Sequence, residues 1–200
     1  MEEKELVCLA QAGDAEAFGI LVQKHETKVY TLTLRMTRNP EDARDLAQES
    51  FLLAYRKLST FRMESSFSTW ICRLAANLCI DFLRKEKRRR DRFIQVGWNE
   101  NLQITDQWAE PQVKVERMEQ RRALEKGIEK LSEEHRRILL LREVGGLSYE
   151  EIGAVLKLAP GTVKSRLARA RCSLRDILRA DGNFFGTPSS NQTKRKGGSV

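Results

Sequence analysis

The chain has 200 residues, 40% of them hydrophobic, and 36 Lys+Arg against 28 Asp+Glu give a net charge of +8. That hydrophobic content suits small helical cores, no stretch approaches the roughly 18 apolar residues of a membrane span, and no basic leader precedes an apolar run, so a cytoplasmic location is expected. The basic excess points to a polyanionic partner, while Cys8, Cys72, Cys79 and Cys172 form no C-x-x-C pair and meet only His25 and His135, so no zinc site, other cofactor or disulfide framework is expected.

Residues 2–12 carry Leu6, Leu9 and Ala10 at helical spacing, and Gly13-Asp14 ends that helix and caps the next. Phe18, Leu21, Val22, His25, Val29, Leu32 and Met36 keep the period as far as Asn39-Pro40, the cap and first-turn proline of a third helix. His25 falls in the apolar row, where a partly buried, satisfied imidazole is expected. The third helix, 40–58, has two unlike faces: Ala43, Ala47, Phe51, Ala54 and Leu58 can pack inward, while Asp42, Asp45, Gln48 and Glu49 form a compact acidic face on a basic protein. Composition alone would make that face a solvated one.

Residues 61–67 mix aromatic, basic and hydroxyl side chains in a loop. Phe61, Arg62, Ser65, Ser66 and Phe67 could stack an unpaired base while holding its phosphate, and the rings of Phe61, Phe67 and Trp70 are equally suited to anchoring a core. Ser66 or Ser68 caps the next helix, where Trp70, Ile71, Leu74, Ala75, Leu78 and Phe82 make an apolar side flanked by Arg73, Asn77, Asp81, Arg84 and Lys85. Residues 84–92 hold seven bases, Arg88 among them, and two acids, a net of +5. Phosphate contact explains such a run economically; complementing a helix C-terminus is the plainer alternative.

The helical rhythm stops over 93–112, where Gly97, Asn99, Asn101, Asp106 and Pro111 mark a linker whose Trp98 and Trp108 suggest docking on something. From Val113 onward Leu124, Ile128 and Leu131 share a face, and Ser132 caps a helix containing Ile138, Leu139 and Leu141. After Gly145-Gly146, Ser148-x-x-Glu151 is a capping box opening a helix with Ile152, Val155 and Leu156 on one side. Residues 157–161 break the pattern and Pro160 starts a new helix. There Val163, Leu167, Ala170, Leu174 and Ile177 turn inward, leaving Thr162, Lys164, Ser165, Ala168, Arg169 and Cys172 outside or on the flanks. Two helices so joined are predicted to be a helix-turn-helix whose small, basic outer face fits the DNA major groove, with a basic amphipathic bundle helix as the plainer alternative. Residues 181–200, rich in Gly, Ser, Thr, Asn and Lys, are expected to be a disordered tail in which Phe184-Phe185 has no assigned role.

The run Asp42-Ala43-Arg44-Asp45-Leu46-Ala47-Gln48-Glu49-Ser50-Phe51 resembles the polymerase-binding helix of bacterial sigma factors, with the pattern D-x-x-D-L-x-Q-E-x-F. Residues 61–84 resemble the loop and helix with which the extracytoplasmic-function subgroup melts and reads its promoter element nearer the start, and Gly161-Thr162-Val163-Lys164-Ser165-Arg166 resembles the start of that subgroup's second DNA-reading helix. The likeness covers about 5–92 and 113–179, with three motifs in the right order.

The resemblance implies an all-α protein of two small helical domains joined by a flexible linker: an N-terminal domain over 1–92, a linker over 93–112 threading the polymerase near its active-site cleft and RNA exit path, a C-terminal domain over 113–180 with the helix-turn-helix, and the tail. By that resemblance Asp42, Asp45, Gln48 and Glu49 meet the clamp of the largest subunit of core RNA polymerase, and the protein also meets the flap of the second largest. Phe61, Arg62, Ser65, Ser66, Phe67, Trp70, Arg73, Asn77, Arg84, Lys85 and Arg88 would melt and read the −10 element, as double- and single-stranded promoter DNA. Ser148, Thr162, Lys164, Ser165, Arg166, Ala168 and Arg169 would read the −35 element, although Ala168 stands where some relatives carry a larger residue and offers less for base contact. A cognate anti-sigma factor, often held at the membrane, is implied as antagonist.

Two rivals fare worse. An enzyme would need a Gly-rich phosphate loop, a metal-spaced acid set or a nucleophile beside a base, and none is seen; Glu150-Glu151 is accounted for by capping. A self-sufficient helix-turn-helix regulator would need a dimerisation or ligand domain, and residues 1–92 carry the polymerase-type signature in that place.

Overall fold

The computed structural model describes residues 2–94 and 115–180, and no strand occurs among them. The expected linker therefore lies outside the described residues apart from 93–94, which end a helix, and the tail lies outside them too. Trp98, Trp108 and Phe184-Phe185 fall in these stretches.

The first unit comprises α1 (Glu3–Gln11), α2 (Ala15–Thr37), α3 (Pro40–Lys57), a 3-10 turn (Leu58–Thr60) and α4 (Phe67–Ile94). Its boundaries have local causes. Gly13 takes φ +100, which favours glycine, and Asp14 then caps α2 by accepting from the amides of Glu16 and Ala17. Asn39 does the same for α3, with Pro40 in the first turn. Helix α2 is the spine: α1, α3 and α4 all pack on it, and Leu21, Val29 and Leu32 are fully buried there. The Thr33 hydroxyl donates to the Ala43 carbonyl at 2.9 Å, which pins α3 to α2.

The second unit comprises α5 (Val115–Lys130), α6 (Glu133–Glu143), α7 (Tyr149–Leu156) and α8 (Pro160–Ala180). Here α8 is the spine, touched by α5, α6 and α7. A Cβ on Gly127 would lie 2.9 Å from a Leu178 methyl, so the glycine lets α5 approach α8 closely. That approach moves the buried stripe of α8: Leu178 is buried and Leu174 and Ile177 only partly so, whereas helical counting stops the inner face at Ile177. The two units also touch, α2 on α6 and α4 on α7, and the buried residues from Leu6 to Ala170 form one continuous cluster.

Candidate functional site

Three surfaces carry the residues singled out in the sequence. On α3, Asp45, Gln48 and Glu49 are exposed and Asp42 half-buried, while Ala43, Leu46, Ala47 and Phe51 are buried on the opposite side. The Asp42 carboxyl is pushed above the usual aspartate range, by partial burial first and then by Glu86 of α4, Asp45 and Glu41, with Arg89 opposing. The acids are thus drawn together against their own repulsion. Beside them stand Leu52 and Tyr55, 52% and 50% exposed. Such exposure is uncommon for large apolar residues set side by side on a helix, and the two extend the acidic face by two turns.

The second surface is the loop before α4 and α4 itself. Phe61, Phe67 and Trp70 are 6%, 2% and 5% exposed and pack on one another, with Phe61 stacked on Trp70 at 4.8 Å between ring centres and edge-on to Phe67 at 6.0 Å. As stacking platforms for a base the three rings are corrected: they are core anchors, because the hydrophobic gain of burying them holds the loop onto the unit. Phe61 and Phe67 nonetheless contribute to the lining of an open cavity of about 580 Å³ with Met63, Ser65, Ser66 and the start of α1. Met63 takes φ +56, a left-handed conformation costly for a non-glycine residue by about 1–2 kcal/mol. Several bonds hold the loop in that shape. Gln11 donates to the carbonyls of Leu58 and Phe61, both at 2.8 Å, Lys28 donates to the Ser68 hydroxyl at 2.8 Å, and the His25 ring lies against Phe67. His25 itself is buried and paired to Glu3 at 3.0 Å.

Of the two candidate serines, Ser66 caps α4, accepting from the Thr69 amide at 3.1 Å. Along α4, Asn77, Lys85 and Arg88 are exposed, as is Arg62 in the loop. Arg84 pairs with Asp81 at 3.3 Å, and Arg73 pairs with Glu151 of α7 at 3.0 Å. The α4 face is therefore basic, but two of its cations already have partners.

The third surface is the helix-turn-helix of α7 and α8. Ser148 accepts from the Glu151 amide at 3.1 Å and Glu151 from the Ser148 amide at 2.8 Å, so the half-buried Ser148 hydroxyl serves the capping box as an acceptor and keeps its own O–H to donate. Lys157 ends α7 at φ +58, and a Cβ on Gly153 would meet the Leu158 carbonyl at 2.7 Å, which is how the turn stays so short. On α8, Lys164, Ser165, Ala168 and Arg169 are exposed and Thr162 half-buried, while Val163, Leu167 and Ala170 are buried. The Arg166 guanidinium pairs with Glu134 of α6, which turns it along the unit and away from the outer face carrying Lys164 and Arg169.

Comparison with known proteins accounts for this layout. The profile of sigma-70 region 2 matches residues 21–89, and that of sigma-70 region 4 matches residues 121–174. The extracytoplasmic-function RNA polymerase sigma factor SigW of Bacillus subtilis is 36% identical over 180 residues, covering 88% of this chain and 96% of its own. This chain belongs to the extracytoplasmic-function sigma factors. The sigma-E factor of Escherichia coli K12 is likewise 36% identical, over 86% of this chain and 91% of its own. Two solved structures share the fold: CnrH bound to the cytosolic domain of CnrY, at a TM-score of 0.58 and 24% identity over 90% of this chain and 98% of that one, and RpoE of Bartonella quintana bound to the anti-sigma factor NepR, at 0.59 and 23% over 84% and 99%.

The protein is accordingly an RNA polymerase sigma factor, all-α in two helical domains. The matched region 2 profile spans α3 and most of α4, and the region 4 profile spans α7 and most of α8. Among its described residues no helix is long and apolar enough to cross a membrane. What reading the sequence of this sigma factor missed was the pair Leu52 and Tyr55 and the supporting Gln11 and Gly153. The first two stand three and seven residues beyond Glu49 and Gln48, a helical spacing that could have flagged them; the roles of Gln11 and Gly153 depend on carbonyls that only the fold brings near.

Proposed function

We propose that this sigma factor docks on core RNA polymerase through the outer face of α3 and directs it to promoters carrying −35 and −10 elements, opening the DNA at the latter. The observation carrying this reading is the stripe Asp45, Gln48, Glu49, Leu52 and Tyr55, exposed along one face of a helix whose other side is core. Acids set beside exposed apolar residues suit a protein interface with a polar rim and a hydrophobic centre. They do not suit DNA.

The basic surfaces suit the DNA instead. Arg62, Lys85 and Arg88 are placed to meet phosphates near the −10 element and Asn77 to meet a base edge, with the cavity of the 61–67 loop as a receptacle for an unpaired base. Lys164 and Arg169, with Ser165 and Thr162 near the start of α8, would enter the major groove at the −35 element. The protein acts as an initiation factor and has no catalytic step of its own. An anti-sigma factor is the expected antagonist, since the structures of similar fold include one bound to such a partner.

The test is Asp45→Arg with Glu49→Arg. Both sites are exposed, so helicity and melting should change little, by about 0.5 kcal/mol, while co-purification with core polymerase should be lost. Retained co-purification of a folded variant assigns the polymerase contact to another face.

A further inference from the structure

We propose that Glu134 and Glu143 of α6 act as built-in counterions for α8: they occupy Arg166 and Arg171 as phosphates would, and so hold down the affinity of the helix-turn-helix for duplex DNA without altering its sequence preference. The proposal rests on the reading above that α8 enters the major groove. Helix α8 carries the cations Lys164, Arg166, Arg169, Arg171, Arg175 and Arg179 against the one acid Asp176. Their engagement is uneven. Arg166 pairs with Glu134, the Nε and Nη2 of Arg171 both donate to one Glu143 oxygen, at 3.2 and 2.6 Å, and Arg175 pairs with Asp176 at 3.0 Å. Lys164 and Arg169 are exposed with no ion pair among the described residues.

Helix geometry explains how one neighbour serves two arginines. At about 100° per residue Arg166 and Arg171 stand roughly 140° apart, on either side of the buried stripe of Val163, Leu167 and Ala170. These are the two flanks of the outer face, where a helix lying in the major groove meets the phosphate walls. Glu134 and Glu143 are about 180° apart around α6, so they leave that helix on opposite sides, and α6 packs on α8. Glu143 is the more telling of the two. It is the last residue of α6, where the helix dipole disfavours an anion; helix stability gives no reason for a carboxylate there, and Arg171 does. Glu133, by contrast, pairs within α6, with Arg137.

A guanidinium already held by a carboxylate must exchange one anion for another when DNA arrives, so its net gain from a phosphate is small. Phosphate contacts carry no sequence information, and the loss therefore falls equally on every sequence. The cations left free are the two on the outer face, and those neutralised by α6 are the two on its flanks. Residence on non-promoter DNA is thereby kept short.

Anisotropy titrations of the full chain test this on two labelled short duplexes, one of random sequence and one that the wild-type chain enriches from a random pool. Glu134→Gln with Glu143→Gln should raise affinity for both by the same factor, roughly tenfold at low salt, and steepen the dependence of log K on log salt by about 1–2. Glu133→Gln makes the same change of charge one residue away and should do far less than Glu134→Gln. Arg166→Gln with Arg171→Gln should cost the wild type little, and should abolish the gain when combined with the two glutamate substitutions. Melting should change little throughout, since such exposed pairs add little stability. Weaker binding by the glutamate variants would mean that the carboxylates steer the arginines onto phosphates. That result, a gain matched by Glu133→Gln, a gain that survives loss of the arginines, or a changed ratio between the two duplexes overturns the proposal. If the wild type enriches no sequence, base reading by α8 fails, while the salt slopes on the random duplex still decide the counterion role.

Discussion

At the scale of single residues, the cations of α8 separate into groups that stand free and groups already engaged. Lys164 and Arg169 are exposed with no ion pair among the described residues, whereas Arg166 is held by Glu134 and Arg171 by Glu143. A cation without a partner is available to DNA at little cost, and an engaged one must first give up its bond. Lys164→Ala and Arg169→Ala should therefore each weaken promoter use by about 1–3 kcal/mol if they read bases, with altered preference at one position of the −35 element. Competition binding against single-base variants of the promoter checks this. A loss that is uniform across sequences and lowers the salt slope would make them phosphate contacts only.

Single elements owe their geometry to two glycines of the second unit, each crowded in a different way. At Gly153 a new Cβ meets the Leu158 backbone carbonyl at 2.7 Å, an atom that cannot move without reshaping the turn between α7 and α8. At Gly127 it meets side-chain methyls of Leu178 and Leu174 at 2.9 and 3.1 Å, which can adjust their rotamers. Gly153→Ala should accordingly cost at least 2–3 kcal/mol, about the upper end for overpacking, and Gly127→Ala about 1 kcal/mol or less, because alanine also favours the helix. Thermal unfolding of the two variants should rank them in that order; equal melting temperatures would show that the turn is softer than its contacts imply.

Across the whole molecule, the four thiols report on the packing of both units. Burial pushes the Cys72 thiol up to about 11 and the Cys79 thiol up to about 12, with Lys28 only partly opposing the first. Since the thiolate is the reactive form, the native protein near neutral pH should titrate two thiols quickly with a thiol reagent, Cys8 and Cys172, and all four once denatured. Fast reaction of a third thiol in the native state would mean that the α2–α4 core opens readily. The same core sets the limits of the cavity beside the 61–67 loop, because Phe61, Phe67 and Trp70 cannot leave it without exposing the centre of the first unit.

What the sequence by itself determined is whatever depends on neighbours along the chain. Caps at Asp14, Asn39, Ser132 and Ser148, the proline starts of α3 and α8, and the 3.6-residue period of every inner face are local properties, and they suffice for eight helices, for the acidic face of α3 and for the helix-turn-helix. The family motifs are local too, which is why the sigma-factor assignment was legible. Tertiary structure decided which polar and aromatic groups remain available. Periodicity places Phe61, Phe67 and Trp70 near a surface loop, but only the approach of α1 and α2 buries them; it turns Arg73 outward, but only the second unit brings Glu151 within 3.0 Å of it. Burial and ion pairing are made between residues far apart in sequence, Arg73 and Glu151 being 78 positions apart, and no helical period encodes a partner at that range.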